Sequence, residues 1–431
     1  MYRTIMESLI AWKNSLYRKP LLLEGVRQVG KTYTLLQFGR EQYDTVAYFN
    51  FETYPQLCEA FDGDISAEHL IALLSHLGKI TIVRERTLII LDEIQVCERA
   101  LTALKYFHEQ ASEYHIIAAG SLLGVAINRS HFSFPVGSVS ILKMHPMYYE
   151  EFLLALGEDE LVKEIKRCYG AMQAMPSILH TKALERYRQY LAVGGMPECV
   201  KHFAATSDYV LVRQTQEELL VGYQRDMAKY NTKAGAIKAA LVYENITVQL
   251  SKVNTRFQYK LLKQGARASL FEDAIQWLIL SGVIARVHRV EQLKIPLSNY
   301  IDIDAFKIYG ADVGLLTAMK QLRVTDLLYD SETLLSFKGG LAENYVNSQL
   351  VARGHETFYW ESARMAEVDF IIYQDGKIIP IEVKAADNTR SKSLTIFMDT
   401  YQSDHGIKLG TKNFGTSGKV STIPLYAAFC I

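Results

Sequence analysis

The chain has 431 residues, 49% apolar and 22% charged, with 47 basic against 47 acidic side chains. That length holds two or three domains, and the composition excludes a disordered or fibrous chain, while the charge balance excludes recruitment to nucleic acid or an anionic membrane by an overall field. Cys58, Cys97, Cys168, Cys199 and Cys430 are scattered without a CxxC pair, no apolar run approaches the ~20 residues of a membrane span, and the first residues mix acids and bases without a signal-peptide core; reduced thiols and a cytoplasmic location without membrane contact are expected.

Residues 21–42 read LLLEGVRQVGKTYTLLQFGREQ: an apolar strand, a loop of the form GxxxxGK[ST], then a helix. The loop 25–32, with Gly25, Val29 and Gly30, lets backbone amides wrap phosphate oxygens, and the helix N-terminus adds partial positive charge at the same place. Lys31 is expected to reach the β- and γ-phosphates of ATP, and Thr32 to ligate Mg2+. A strand VAYFNFE and a helical stretch follow. Then RTLIILDEIQ presents a continuous apolar run ending in Asp92 and Glu93. A run of that kind is a buried parallel strand, whose C-terminal end carries ligand-binding residues. Asp92 is placed to hold the magnesium through water, and Glu93 to orient the attacking water. After a helix over about 100–111, the strand HIIAAGS ends at Ser121, where a polar side chain could sense the γ-phosphate; a plain turn serine fits the spacing equally. Alternating strands and helices give an α/β domain with a parallel sheet.

The segments GVRQVGKT, LIILDEIQ, AAGSLLG, FPVGSVSILKMHPMYYEEFLLALG, YLAVGGMPECV and YQRDMAKY, followed by FKIYGADVGLL, LAENYV, YWES, EVDFII and IEVK, closely resemble in this order a widespread bacterial and archaeal family of AAA-type ATPases. Its members carry a C-terminal nuclease-like domain of the PD-(D/E)XK type. The resemblance implies a P-loop AAA-type ATPase core over 1–147, a helical lid over 148–232 and a PD-(D/E)XK nuclease-like α/β domain over 329–431; between them the order of helices and strands reads as a winged-helix-like domain over 233–328. It also raises an arginine supplied by a neighbouring subunit of a homo-oligomer. Arg129 and Arg225 are the candidates, neither in an assignable pattern, and Ser138 follows Gly137 where a basic residue is expected.

Residues 148–230 have helical periodicity, broken by VGGMPE. Three helices (VYENITVQLS, RFQYKLLKQ, SLFEDAIQWLILSGVI) and two strands then follow in winged-helix order. The third helix opens with Glu272 and Asp273 and is otherwise apolar, unlike a helix that neutralises phosphates. A structural or protein-contact role is favoured there over DNA contact.

The last segment offers a helix with Glu343, then three strands, with Glu367 and Asp369 on one and Glu382 and Lys384 on the next. Residues two apart share a strand face, so each pair points one way. Alternating charges also discourage edge pairing. The nuclease-like order implies instead that Asp369 and Glu382 ligate Mg2+ or Mn2+, that Lys384 orients water, and that Glu343 serves as a further ligand or base. The expected function is an ATPase coupling nucleotide state to a C-terminal domain acting on DNA or RNA, with metal-dependent phosphodiester cleavage; the alternative is a nucleotide-driven switch whose C-terminal domain binds nucleic acid or another partner without cutting it.

Overall fold

The structure, a computed structural model, describes residues 1–121, 137–229, 231–252, 255–329, 335–362, 366–385 and 392–431. It divides into two compact units: Arg3–His145 with Leu280–Gly282, and Pro146–Ile279 with Met1–Tyr2 and Val283–Ile431. All five cysteines are free, and among the described residues no helix is long and apolar enough to cross a membrane.

The unit containing Arg3–His145 is built on a five-stranded sheet of order β2-β3-β4-β1-β5, with β1 Leu21–Glu24, β2 Thr45–Asn50, β3 Thr87–Asp92, β4 His115–Ala119 and β5 Ser140–Lys143. Every pairing is parallel. Burial on both faces explains why β3 and β4 read as unbroken apolar runs: every residue in them is buried. The helices α1 Ile5–Lys13, α2 Lys31–Gln42, α3 Ala67–Gly78 and α4 Glu98–Gln110 accompany the sheet. Phe49, Leu70, Ile89, Leu91, Leu104 and Phe107 belong to one core cluster. At the C-terminal end of β4, Ala119 is in register with Leu23 of β1 on one side and Asp92 of β3 on the other. One strand, ending in the methyl-sized Ala118 and Ala119, therefore separates the phosphate loop from the acidic pair.

The second unit opens with helices Tyr149–Ala155, Asp159–Ala171, Ser177–Val193, Pro197–Thr206 and Tyr209–Lys229. The ring of Tyr149 lies 6.3 Å from Tyr345 of the helix Leu335–Ala352 and 6.2 Å from Phe429 in the closing turn Leu425–Cys430. The segment expected as a lid thus shares an aromatic core with the C-terminal segment.

Its largest sheet has eight strands in the order β12-β13-β11-β10-β9-β8-β6-β7. These are β6 Ile284–Val290, β7 Ile301–Gly310, β8 Phe358–Glu361, β9 Glu367–Gln374, β10 Lys377–Val383, β11 Gly406–Gly410, β12 Gly415–Ser417 and β13 Val420–Pro424. The hairpin β6–β7, expected as a wing, continues the C-terminal sheet, because β6 pairs in parallel with β8 at His288 to Phe358 and Arg289 to Tyr359. That pairing covers what would otherwise be a bare strand edge. The helix expected at RFQYKLLKQ is only the turn Tyr259–Leu261. Its leading backbone is engaged elsewhere: Phe257 N–H donates to the Phe306 carbonyl of β7 at 2.8 Å, and Gln258 N–H to Gln249 Oε1 at 3.0 Å.

The glycines of VGGMPE and YGADVG meet at one junction. Buried Asp312 caps the helix Val313–Met319 by accepting Leu315 N–H at 2.9 Å, and it accepts Gly195 N–H at 2.6 Å. A Cβ on Gly195 would lie 1.9 Å from the Met147 carbonyl oxygen, and one on Gly314 2.5 Å from that of Val193, so backbone contacts backbone here. Removing the carboxylate leaves two buried donors unsatisfied at ~1–3 kcal/mol each. Asp312→Ala should therefore destabilise this unit by about 2–6 kcal/mol in urea denaturation, with the transition of the other unit unmoved; a loss no larger than that of an exposed aspartate would contradict the junction's role.

Candidate functional site

The phosphate loop is shaped by steric necessity. Gly25 has φ +152°, and a Cβ there would lie 2.3 Å from the Met144 carbonyl oxygen; Gly30, at φ +93°, admits the chain into α2. Gln28 also takes a positive φ, of 63°, at the loop's exposed tip. Behind the loop, the buried Arg3 guanidinium donates to the Val29 carbonyl at 2.9 Å and the His145 carbonyl at 2.6 Å. Arg3 thereby ties the loop's backbone to the segment following β5.

Lys31 is 6% exposed and folds back on its own loop, donating to the carbonyls of Gly25 at 2.7 Å and Val26 at 3.1 Å. Burial pushes its ammonium down to about 8, against the opposing pull of Glu93 and Asp92. A phosphate would bring the charge that this ammonium lacks.

The acidic pair closes the site. Thr32 Oγ1 donates to Asp92 Oδ2 at 2.7 Å, so the hydroxyl and carboxylate meet across 60 positions of sequence. Such an oxygen pair suits magnesium, a hard cation that binds through one or two protein oxygens, phosphate and water. Asp92 Oδ1 accepts Glu93 N–H at 3.0 Å, fixing the carboxylate against its own backbone. Glu93 sits at φ 53° and its Oε2 accepts from Gln95 Nε2 at 2.5 Å and Ser121 Oγ at 3.5 Å. Gly25, Val29, Gly30, Lys31, Thr32, Asp92, Glu93 and Ser121 thus lie in one unit, at the C-terminal ends of its strands and the loops leaving them. Arg129 lies outside the described residues, and Arg225 is exposed on Tyr209–Lys229 in the other unit.

Sequence reasoning missed Tyr48. Its hydroxyl donates to the same Asp92 Oδ2 at 2.9 Å and accepts from Asn50 Nδ2 at 3.2 Å. Burial, more than these bonds, pushes the phenol up to about 12, so Tyr48 stays a donor. The only signal was a tyrosine near the C-terminal end of the strand beside the acidic one.

The other group of candidates lies in the second unit. Continuing the β9–β10 register by one residue beyond Phe370 to Ile381 sets Asp369 opposite Glu382. Asp369 Oδ2 accepts Val383 N–H at 2.7 Å, and Lys384 Nζ pairs with Glu382 Oε1 at 2.7 Å. Burial, reinforced by Glu343, holds the Asp369 carboxyl well above the usual range. Glu343 turns to groups unrecognised in the sequence: its Oε2 accepts from Tyr309 OH at 2.9 Å, Lys307 Nζ at 3.2 Å and Thr255 Oγ1 at 3.4 Å. Lys307, fully buried, also pairs with Glu367. Burial works to lower its pKa, but Glu343, Tyr309 and Glu367 outweigh it and hold the ammonium well above its ordinary value. Among the described residues no three His, Cys, Asp or Glu side chains gather as a metal-holding group.

Comparison with known families matches residues 17–153 to an AAA domain, and residues 184–326 and 338–427 each to a domain of unknown function (DUF8612 and DUF4143). No curated protein matches the chain. Among solved structures, a Walker-type ATPase of Pyrococcus abyssi is similar at 15% identity and TM-score 0.45, over 74% of this chain and 95% of that one. The ORC2 protein of Aeropyrum pernix, solved as ADPNP–ADP complexes, is similar at 13% identity and TM-score 0.33, over 77% and 96%. Drosophila ORC bound to DNA follows at 14% identity and TM-score 0.27, over 73% and 93%. Likenesses this loose fix neither ligand nor partner. The AAA match rests on the segment that carries the phosphate loop and the acidic pair.

Because burial pushes the Lys31 ammonium down to about 8, its attraction for a phosphate would be present below that pH and fade above it. ATP affinity, measured by fluorescent-nucleotide titration, should be level from about pH 6 to 7 and then decline, approaching tenfold per pH unit. Lys31→Arg, which keeps its charge, should flatten the decline even if it binds more weakly; an equal decline in both proteins would contradict this origin.

Proposed function

We propose that this protein, through the AAA-type ATPase domain at residues 17–153, binds ATP with Mg2+ and hydrolyses it in the cytoplasm, and that nucleotide state governs its second unit. The observation that carries the reading is the 2.7 Å bond from Thr32 to Asp92 beside a buried lysine and a glycine-shaped loop. In this reading the amides of the loop and of the first turn of α2 bind the phosphates, and Lys31 exchanges its two loop carbonyls for phosphate oxygens. Thr32 and Asp92 hold the magnesium, which neutralises phosphate charge. Glu93, steadied by Gln95 and Ser121, orients the attacking water and takes its proton. An arginine from a neighbouring copy remains part of the proposal through its general role at a γ-phosphate.

For the C-terminal domain, the juxtaposition of Asp369, Glu382 and Lys384 supports a nuclease reading, whereas the engagement of Glu343 and Glu367 by Lys307 favours the switch that binds nucleic acid or another partner without cutting. We adopt the switch. Lys31→Ala should abolish tight ATP binding while the thermal melt stays cooperative. Glu93→Gln should keep ATP and lose turnover by about 10²-fold or more. Both are read by equilibrium binding and phosphate release; undiminished ATP binding by Lys31→Ala would overturn the assignment.

A further inference from the structure

We infer that Lys307 is the resident cation of the C-terminal carboxylate cluster, and that this site is balanced by lysines in place of a divalent metal. The inference stands on that cluster alone and does not depend on the ATPase reading. Its first support is the placement of the ammonium. The Lys307 side chain has 0% exposure, and its Nζ lies 3.2 Å from Glu343 Oε2, pairs with Glu367 and sits 5.1 Å from the centre of the Tyr359 ring. A charge taken wholly out of water persists only where partners surround it. These partners come from the helix Leu335–Ala352, from β8 and from β9, so Lys307, on β7, holds them around itself.

The second support is the charge count. Glu343, Glu367, Asp369 and Glu382 face Lys307, Lys384 and Lys408, the last in register with Glu382 across β10–β11. Four carboxyl groups against three ammonium groups leave at most one negative charge, too little to demand a divalent ion. The third is the occupancy of the oxygens. A hard divalent cation fills its shell of roughly six oxygens with waters around one or two carboxylates that must be free to face it, yet here Glu343 Oε2 accepts three donors, Glu382 Oε1 holds Lys384 and Asp369 Oδ2 holds Val383 N–H. Glu382 Oε2 is the one buried carboxylate oxygen in the cluster without a partner. The residues expected as metal ligands therefore do not fit a metal while Lys307 is in place, and phosphodiester cleavage by a metal-bound water is closed to this arrangement.

The test uses the full chain without nucleotide, its melting temperature followed against MnCl2 and MgCl2. The wild type should show no rise that Glu382→Gln abolishes. Lys307→Met, close to isosteric and uncharged, exposes the carboxylates to one another; it should melt several degrees lower, recover with Mn2+, and lose that recovery when combined with Glu382→Gln. A wild-type rise that Glu382→Gln removes would overturn the inference, as would a folded Lys307→Met that ignores Mn2+. Should Lys307→Met fail to fold even with Mn2+, the comparison of wild type with Glu382→Gln, backed by direct Mn2+ titration, still decides.

Discussion

The unit that carries the AAA match depends on one hydrogen bond that joins two distant pieces of chain. Thr32 begins α2 and Asp92 ends β3, yet β3 and β1 are not neighbours in the sheet; β4 runs between them. The bond forms because β4 ends in Ala118 and Ala119 followed by Gly120, with no side chain larger than a methyl to block the crossing. Gly25 meets the Met144 carbonyl on the other flank, so the loop is confined from both sides. Lys31 and Glu93 owe their positions to this frame, and so does Tyr48, which adds a second donor to the same carboxylate oxygen.

In the second unit the corresponding constraint is the cost of buried charge. Asp312 and Lys307 are both buried and lie five positions apart on the segment FKIYGAD. The first is satisfied by backbone N–H groups at a junction where glycines bring chains into contact, and the second by carboxylates from a helix and a strand. Leaving either without partners would cost several kcal/mol. That single segment consequently fixes both the turn at Gly194–Gly195 and the interior of the carboxylate cluster.

The phosphate loop and acidic pair were legible because each is a local event, a strand ending in chemically specific residues. The face shared by Asp369, Glu382 and Lys384 was legible for the same reason, through the two-residue period of strands. Lys307 was not. Its partners are 36 and 60 residues away, on elements assigned to a different domain, and nothing local distinguishes it from a lysine with a solvated head. Without it, Glu343, Asp369 and Glu382 against Lys384 alone leave two negative charges, an excess that calls for a metal. The helix expected at RFQYKLLKQ failed through the opposite error: its residues suit a helix, but the backbone of Phe257 and Gln258 is held by β7 and Gln249. Tyr48 is hidden by burial pattern, since a partly exposed aromatic on a strand carries no mark of the carboxylate it will meet.

If Thr32 and Asp92 form a magnesium-dependent phosphate site in the AAA domain, removing magnesium must weaken ATP binding. Isothermal titration of the intact protein with ATP, in magnesium and again in EDTA, tests this. One ATP should bind per chain in magnesium, with affinity falling at least tenfold in EDTA. Equal affinity in both, or no binding in either, would contradict it.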